Sequence, residues 1–361
     1  MSDSSIKSGR LYFIDALRAW AILMMLQGHF ISALLSDDFE SDSAWFHMWK
    51  DLRGMTAPVF FTVSGFIFTY LLLKQHQSGG HNPRVRKGVV RGIQLMGIGY
   101  LLQINFKGLL DGQLNSSWQI VHVLQCIGMS LLLIIVSFLV TRRFKKWVFP
   151  YLLMIIGMFL FLFEYWYATW DTSWMPSLLA NYFTRENGSV FTIFPWFGYA
   201  AFGGFMSALY LWYGNGPKFN FRALVITSVL GILLSFWSYY FFSAMATITQ
   251  NDFFMGAYKG SDLFARFGDV LLVFVIFRLL ERFLKHPLIH AIGKNTLAIY
   301  VIHSILLYGS FTGWGIKQFL YHSLEPVRVV LSALLFLVVT TVLALAWDRL
   351  PPLRRIFRSR H

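Results

Sequence analysis

Charge is what this chain has least of. Asp, Glu, Lys and Arg make up 13% of its 361 residues, about half the share of an average soluble domain. So sparse a set cannot cover the surface of a compact soluble enzyme of this length. Disorder is excluded as well, because it needs low hydrophobicity and high charge. Cysteine is almost missing. The single Cys126 lies in an apolar run, which rules out a disulfide scaffold. There is no Walker sequence, no HExxH pair and no GxSxG nucleophile elbow. One cysteine and ten scattered histidines form no cluster at ligand spacing, so no metal is expected.

What is there is apolar and aromatic. Hydrophobic residues reach 56% and aromatics 18%, with a mean hydropathy of +0.56. A spanning helix needs about 20 mostly apolar residues. Ten such runs occur, at 11–35, 55–74, 90–106, 118–140, 147–165, 190–212, 222–246, 262–281, 294–313 and 326–347. The expected fold class is all-α: a polytopic membrane bundle of about ten transmembrane helices forming a single domain over 1–361. A re-entrant piece would fit in the 165–190 connection.

The net charge of +14 could suggest nucleic acid. The basic residues, however, sit in the gaps between apolar runs, so no nucleic-acid partner is expected. Alternate connections are rich in them: Lys7 and Arg10; Lys74, Arg84, Arg86, Lys87 and Arg91; Arg142, Arg143, Lys145 and Lys146; then the tail from Arg349 to Arg360. Positive loops stay in the cytoplasm. Both termini are therefore expected there. The acidic stretch with Asp37, Asp38, Glu40, Asp42 and Asp51 falls on the far side. The expected location is a bacterial inner membrane, with lipids as neighbours.

An ionisable side chain inside a span is costly and points to function. The first run holds Asp15, Arg18 and His29. Asp15 and Arg18 are three apart and can pair on one helix face. Arg18 suits an anionic ligand, because its fork binds two phosphate oxygens at once. His29 lies eleven residues on, about 16 Å along a helix axis and on a similar face. One end of this helix can thus hold a phosphate while the other does chemistry. Histidine is the usual general base near neutrality. Further candidates are His47, between Trp45 and Trp49; His122 with Gln125; and Trp196 in Phe194-Pro195-Trp196-Phe197-Gly198. Pro195 should kink its helix and free a carbonyl. His303 follows Tyr300 in the ninth run.

These pieces resemble the transmembrane acyltransferases, and most closely the heparan-alpha-glucosaminide N-acetyltransferase branch. The sister branch is the type-three membrane O-acyltransferases. The resemblance lies in Ile14-Asp15-Ala16-Leu17-Arg18 with His29 eleven residues after the arginine, Ala57-Pro58 through Ser64-Gly65, His122 to Gln125, Phe194 to Gly198, and Gly293-Lys294-Asn295-Thr296 through Tyr300. They stand in family order over most of the chain. The usual glycine after the arginine is Ala19 here. At the position of His29, some N-acetyltransferase members carry asparagine.

The resemblance implies acetyl transfer from cytoplasmic acetyl-CoA to a sugar or glycan beyond the membrane. It implies His29 and His47 as catalytic residues. Arg18, with the basic 84–91 segment of Arg84, Arg86, Lys87 and Arg91, would hold the CoA phosphates. His122, Gln125, Trp45 and Trp196 are candidates for binding the acceptor. General-base and acyl-histidine routes both stay open, as do amine and hydroxyl acceptors and a homodimer. Intramembrane Asp, Arg and His also serve proton-coupled transporters, the competing class. Those often show two related halves, and no internal repeat is visible here.

Overall fold

The structure is a computed structural model. It describes residues 11–39, 43–76, 82–110, 112, 116–213 and 217–347. Lys7, Arg10, Glu40, Asp42 and the Arg349 to Arg360 tail, used above for orientation, lie outside the described residues.

The described chain is helical throughout, with no β-strand. The first arm runs α1 (Tyr12–Leu34), α2 (Ala44–Gly54), α3 (Thr56–His76) and α4 (Pro83–Leu101). A short α5 (Phe106–Leu110) and a 3-10 turn (Ser116–Gln119) lead to α6 (Val123–Thr141) and α7 (Val148–Leu162). The 165–190 connection holds only the short α8 (Glu164–Tyr167) and α9 (Ser177–Ala180). Next comes α10 (Ile193–Tyr213), then α11 (Pro217–Ile232), a π-helical turn (Leu233–Trp237) and α12 (Ser238–Thr249). The chain closes with α13 (Asp252–Lys259), α14 (Ser261–Leu279), α15 (Pro287–Lys294), α16 (Thr296–Tyr308), α17 (Ile316–Leu320) and α18 (Pro326–Trp347).

Among the described residues, five stretches are long and apolar enough to cross a membrane: Tyr12–Leu34, Ala44–Gln75, Val123–Thr141, Phe221–Thr249 and Pro326–Trp347. The pair α15 and α16, bent by 68°, makes a sixth if counted as one span. Three of the other expected runs fall short for visible reasons. The α7 helix has 15 residues, about 22 Å against a 30 Å hydrocarbon core. The α14 helix carries Asp262, Arg266, Asp269 and Arg278. The α4 helix carries Arg84, Arg86, Lys87 and Arg91.

That last point corrects the reading of 84–91 as a connecting loop. Asn82 caps α4, its side chain accepting from the Arg84 amide at 3.0 Å, and Pro83 occupies the first turn. The basic segment is therefore helical. The break in the ninth run is also new. Asn295 separates α15 from α16, so the bent element lies there and not in 165–190.

In a lipid surrounding, helices do not gain by hiding apolar surface from one another, and close packing has to hold them. Small residues supply it. A Cβ at Gly65 would collide with the Ala200 carbonyl, and one at Gly203 with that of Thr62, so α3 and α10 meet backbone to backbone. Gly92 and Gly128 do the same for α4 and α6. A Cβ at Gly293 would collide with the Asp15 carbonyl, which seats α15 directly on α1. Pro195 acts near the start of α10. Phe194 is non-helical at φ −100°, ψ 128°, and its carbonyl accepts from the Thr192 hydroxyl.

Candidate active site

One cavity of about 1210 Å³ runs along α1. Arg18, Arg84, Lys87, Arg91 and Lys294 line one end, and His29, Arg53, His122 and His303 line the other. The wall between them is apolar, with Phe60, Ile67, Phe68, Leu71 and Leu95. The eleven-residue spacing of Arg18 and His29 on a continuous helix sets the distance between the ends.

At the basic end, Arg18 Nη2 donates to Thr296 Oγ1 at 3.0 Å, at the first residue of α16. The expected pairing of Asp15 with Arg18 gives way to another. Asp15 Oδ2 lies 2.7 Å from His290 Nδ1 on α15. Gly293 makes this contact reachable by letting α15 approach so closely. Arg91 Nη1 is buried with no hydrogen-bond partner. Among the described residues, no carboxylate pairs with Arg18, Arg84, Lys87 or Arg91. A cluster of half-buried cations with no ion-paired carboxylate is suited to an anion.

At the histidine end, His29 Nδ1 stands 3.2 Å from His303 Nε2. His303 is fully buried on α16, and its Nδ1 bonds the Tyr300 carbonyl. The Tyr308 ring lies 6.0 Å from His29. Arg53 lays its aliphatic stem over Gly28, where any Cβ would strike it at 2.7 Å. Its guanidinium donates to Ser32 Oγ and sits 5.3 Å above Trp49. Trp49 in turn donates to Gln27 Oε1 at 3.0 Å. His122 and Gln125 stand at the head of α6, at its N-cap and third residue. There the Gln125 Oε1 accepts from the His122 amide at 3.3 Å. Gln125 Nε2 is buried without a partner. Trp196 also lines the cavity, packed on Phe61 and Phe191.

The structure thus brings Arg18, Arg84, Lys87, Arg91, His29, His122, Gln125 and Trp196 to one cavity. It does not bring His47, Trp45 or Arg86 there. The helical period of α2 turns Phe46, Trp49 and Arg53 inward and leaves Trp45, 76% exposed, and His47 facing outward. The same period in α4 splits the basic segment: Arg84, Lys87 and Arg91 face the cavity, and Arg86 is exposed. The second histidine beside His29 is His303.

Four groups lining this site carry no site role in the sequence reading: His303, Arg53, Tyr308 and Lys294. His303 was visible as an intramembrane histidine one turn after the Gly293 to Tyr300 motif. Nothing local showed that α16 would meet the far end of α1. Arg53 gave no signal, because its placement depends on Gly28 lying bare beneath it. Among the described residues, no group of three His, Cys, Asp or Glu side chains could hold a metal.

The fold and the cavity together define an all-helical membrane protein with a cavity that is basic at one end and lined by histidines at the other. The chain belongs to the heparan-alpha-glucosaminide N-acetyltransferase catalytic family, whose description matches residues 10–246. No curated protein matches the chain.

Proposed function

We propose that this protein transfers an acetyl group from cytoplasmic acetyl-CoA to an amino or hydroxyl group of a sugar on the opposite side of the membrane. The observation that carries this reading is the single cavity with unpaired cations at one end and a hydrogen-bonded histidine pair at the other. Arg18, Arg84, Lys87 and Arg91 bind the CoA phosphates; an arginine fork engages two oxygens at once. The apolar middle takes the pantetheine arm. The thioester then lies beside His29.

His29 acts as the general base. Its free ring nitrogen takes the proton from the acceptor, whose nitrogen or oxygen attacks the thioester carbonyl. The carbon–sulfur bond breaks on collapse, and the CoA thiolate recovers the proton from His29. Arg53 and Tyr308 line the same end and can donate to the oxyanion that forms on the carbonyl. Trp196 and Gln125 are placed to contact the acceptor, with Gln125 Nε2 offering a donor that nothing in the protein occupies.

The test is thermal stability of the purified chain with acetyl-CoA and with dephospho-CoA. A ligand that binds only the folded state stabilises by about 2.7 kcal/mol at a hundred times its Kd. An upward shift with acetyl-CoA, reduced with dephospho-CoA and lost in Arg18→Ala, is the expected result. No shift at millimolar acetyl-CoA in an intact protein rejects the reading.

A further inference from the structure

We infer that His303 is a positioning residue that fixes the tautomer of His29 and so aims a lone pair into the cavity. Its catalytic consequence rests on the acetyltransferase reading above; its geometry does not. The Tyr300 carbonyl can only accept, and it already takes the Ser304 hydroxyl at 2.9 Å. His303 Nδ1, bonded to the same carbonyl, must therefore carry its proton. A neutral imidazole has one N–H, so His303 Nε2 is an acceptor. The group 3.2 Å away is His29 Nδ1, which must then donate. That leaves the lone pair of His29 on Nε2. Among the described residues, this nitrogen has no hydrogen-bond partner, and the His29 side chain lines the cavity.

The order is directional. A carbonyl orients one imidazole, and that imidazole orients the next. An Asp or Glu plays this part in other base assemblies, but no carboxylate reaches this pair among the described residues. An imidazole free in water prefers its proton on Nε2, which would block the base. His303 imposes the opposite choice. The charged and titratable groups facing the pair are Arg53 from α2, His122 from the head of α6, and Tyr300 and Tyr308 from α16.

The first measurement is the ¹⁵N spectrum of the full-length protein carrying ring-labelled histidine, with His29→Gln for assignment. The expected result is a His29 ring protonated at Nδ1 and bare at Nε2, reversing in His303→Leu. A His29 protonated at Nε2 in the parent protein overturns the inference. The second measurement is kinetic. His303→Leu should lower kcat by about 10²-fold or more and leave the KM for acetyl-CoA unchanged. His303→Gln places an amide oxygen where it can take the Nδ1 proton, and should recover at least about tenfold of that loss. Equal losses in both variants, each still stabilised by acetyl-CoA, overturn the positioning role. If the parent protein transfers no acetyl group at all, the acetyltransferase reading fails, and the spectrum alone decides the inference.

Discussion

The two ends of the cavity are built on opposite rules. At the basic end, side chains are held but not satisfied. Arg18 has one neutral partner, Thr296, and a buried nitrogen of Arg91 has none. At the histidine end, the two imidazoles are tied to each other and to the backbone: each ring nitrogen of His303 is bonded, as is one of His29, and the open donor there is neutral, Gln125 Nε2. A binding end has to leave charge unmet so that a ligand can meet it. A reacting end has to fix proton positions before the substrate arrives, because a base in the wrong tautomer is no base. The two ends should therefore fail in different ways when altered.

The largest effect is expected from His29→Ala. Loss of a general base costs about 10²- to 10⁴-fold. The loss should fall on kcat, with acetyl-CoA still raising the melting temperature. Steady-state kinetics and a thermal scan of the same preparation check both halves. Transfer surviving at the parent rate would remove the chemistry from this end.

How much of this was legible beforehand differs between the ends in the same way. Arg18 and His29 could be read as one ligand-length apart, because a single unbroken helix carries both and its rise is fixed. The cations of 84–91 were visible as charge, but not as a helix. Asn82 and Pro83 are the signal that starts the helix there. Charge alone groups Arg86 with neighbours that the helix turns away from it. His303 is 274 residues from its partner. Its meeting with His29 depends on a helix break at Asn295 and on Gly293 lying against Asp15. Periodicity carries no such information. The apolar runs located most helices to within a few residues, since apolarity fixes where a helix lies. The bounds of each helix, seen only in the structure, then set the five long apolar stretches apart from the short α7 and the charged α4 and α14.

Arg18→Met and Arg91→Met should give the next largest effect, and of the other kind. A hydrogen bond to a charged group contributes about 1.5–3 kcal/mol. Each variant should therefore weaken acetyl-CoA about 10- to 100-fold and leave kcat at saturation close to that of the parent. Titration of the thermal shift gives the affinity. A fall in kcat with unchanged affinity would mean that the basic end takes part in chemistry and would erase the contrast.

Gly293→Val sharpens the contrast from below, because Gly293 joins the two ends mechanically. A side chain there has to push α15 off α1 at Asp15. That separation would disturb the 2.7 Å contact of Asp15 with His290 and move the start of α16, where Arg18 finds Thr296. Overpacking typically costs about 1–3 kcal/mol. The melting temperature of the ligand-free protein should fall. Acetyl-CoA affinity should weaken more than turnover does, since Thr296 begins α16 and His303 lies two turns further along it.

The smallest effect is expected from His47→Ala and Arg86→Ala. Each tests helix periodicity against residue type. Both residues have the right chemistry and the wrong face: His47 is turned outward on α2 one residue after the inward Phe46, and Arg86 is turned outward on α4 one residue before the inward Lys87. Surface substitutions away from specific features usually change stability by no more than about 0.5 kcal/mol. Acetyl transfer by either variant should stay within about twofold of the parent, since neither side chain lines the cavity. If His47→Ala instead removed activity while His303→Leu left it intact, the reacting pair would be His29 with His47. The α2 segment would then have to rotate by roughly a quarter turn on binding substrate, because one helical residue is about 100°.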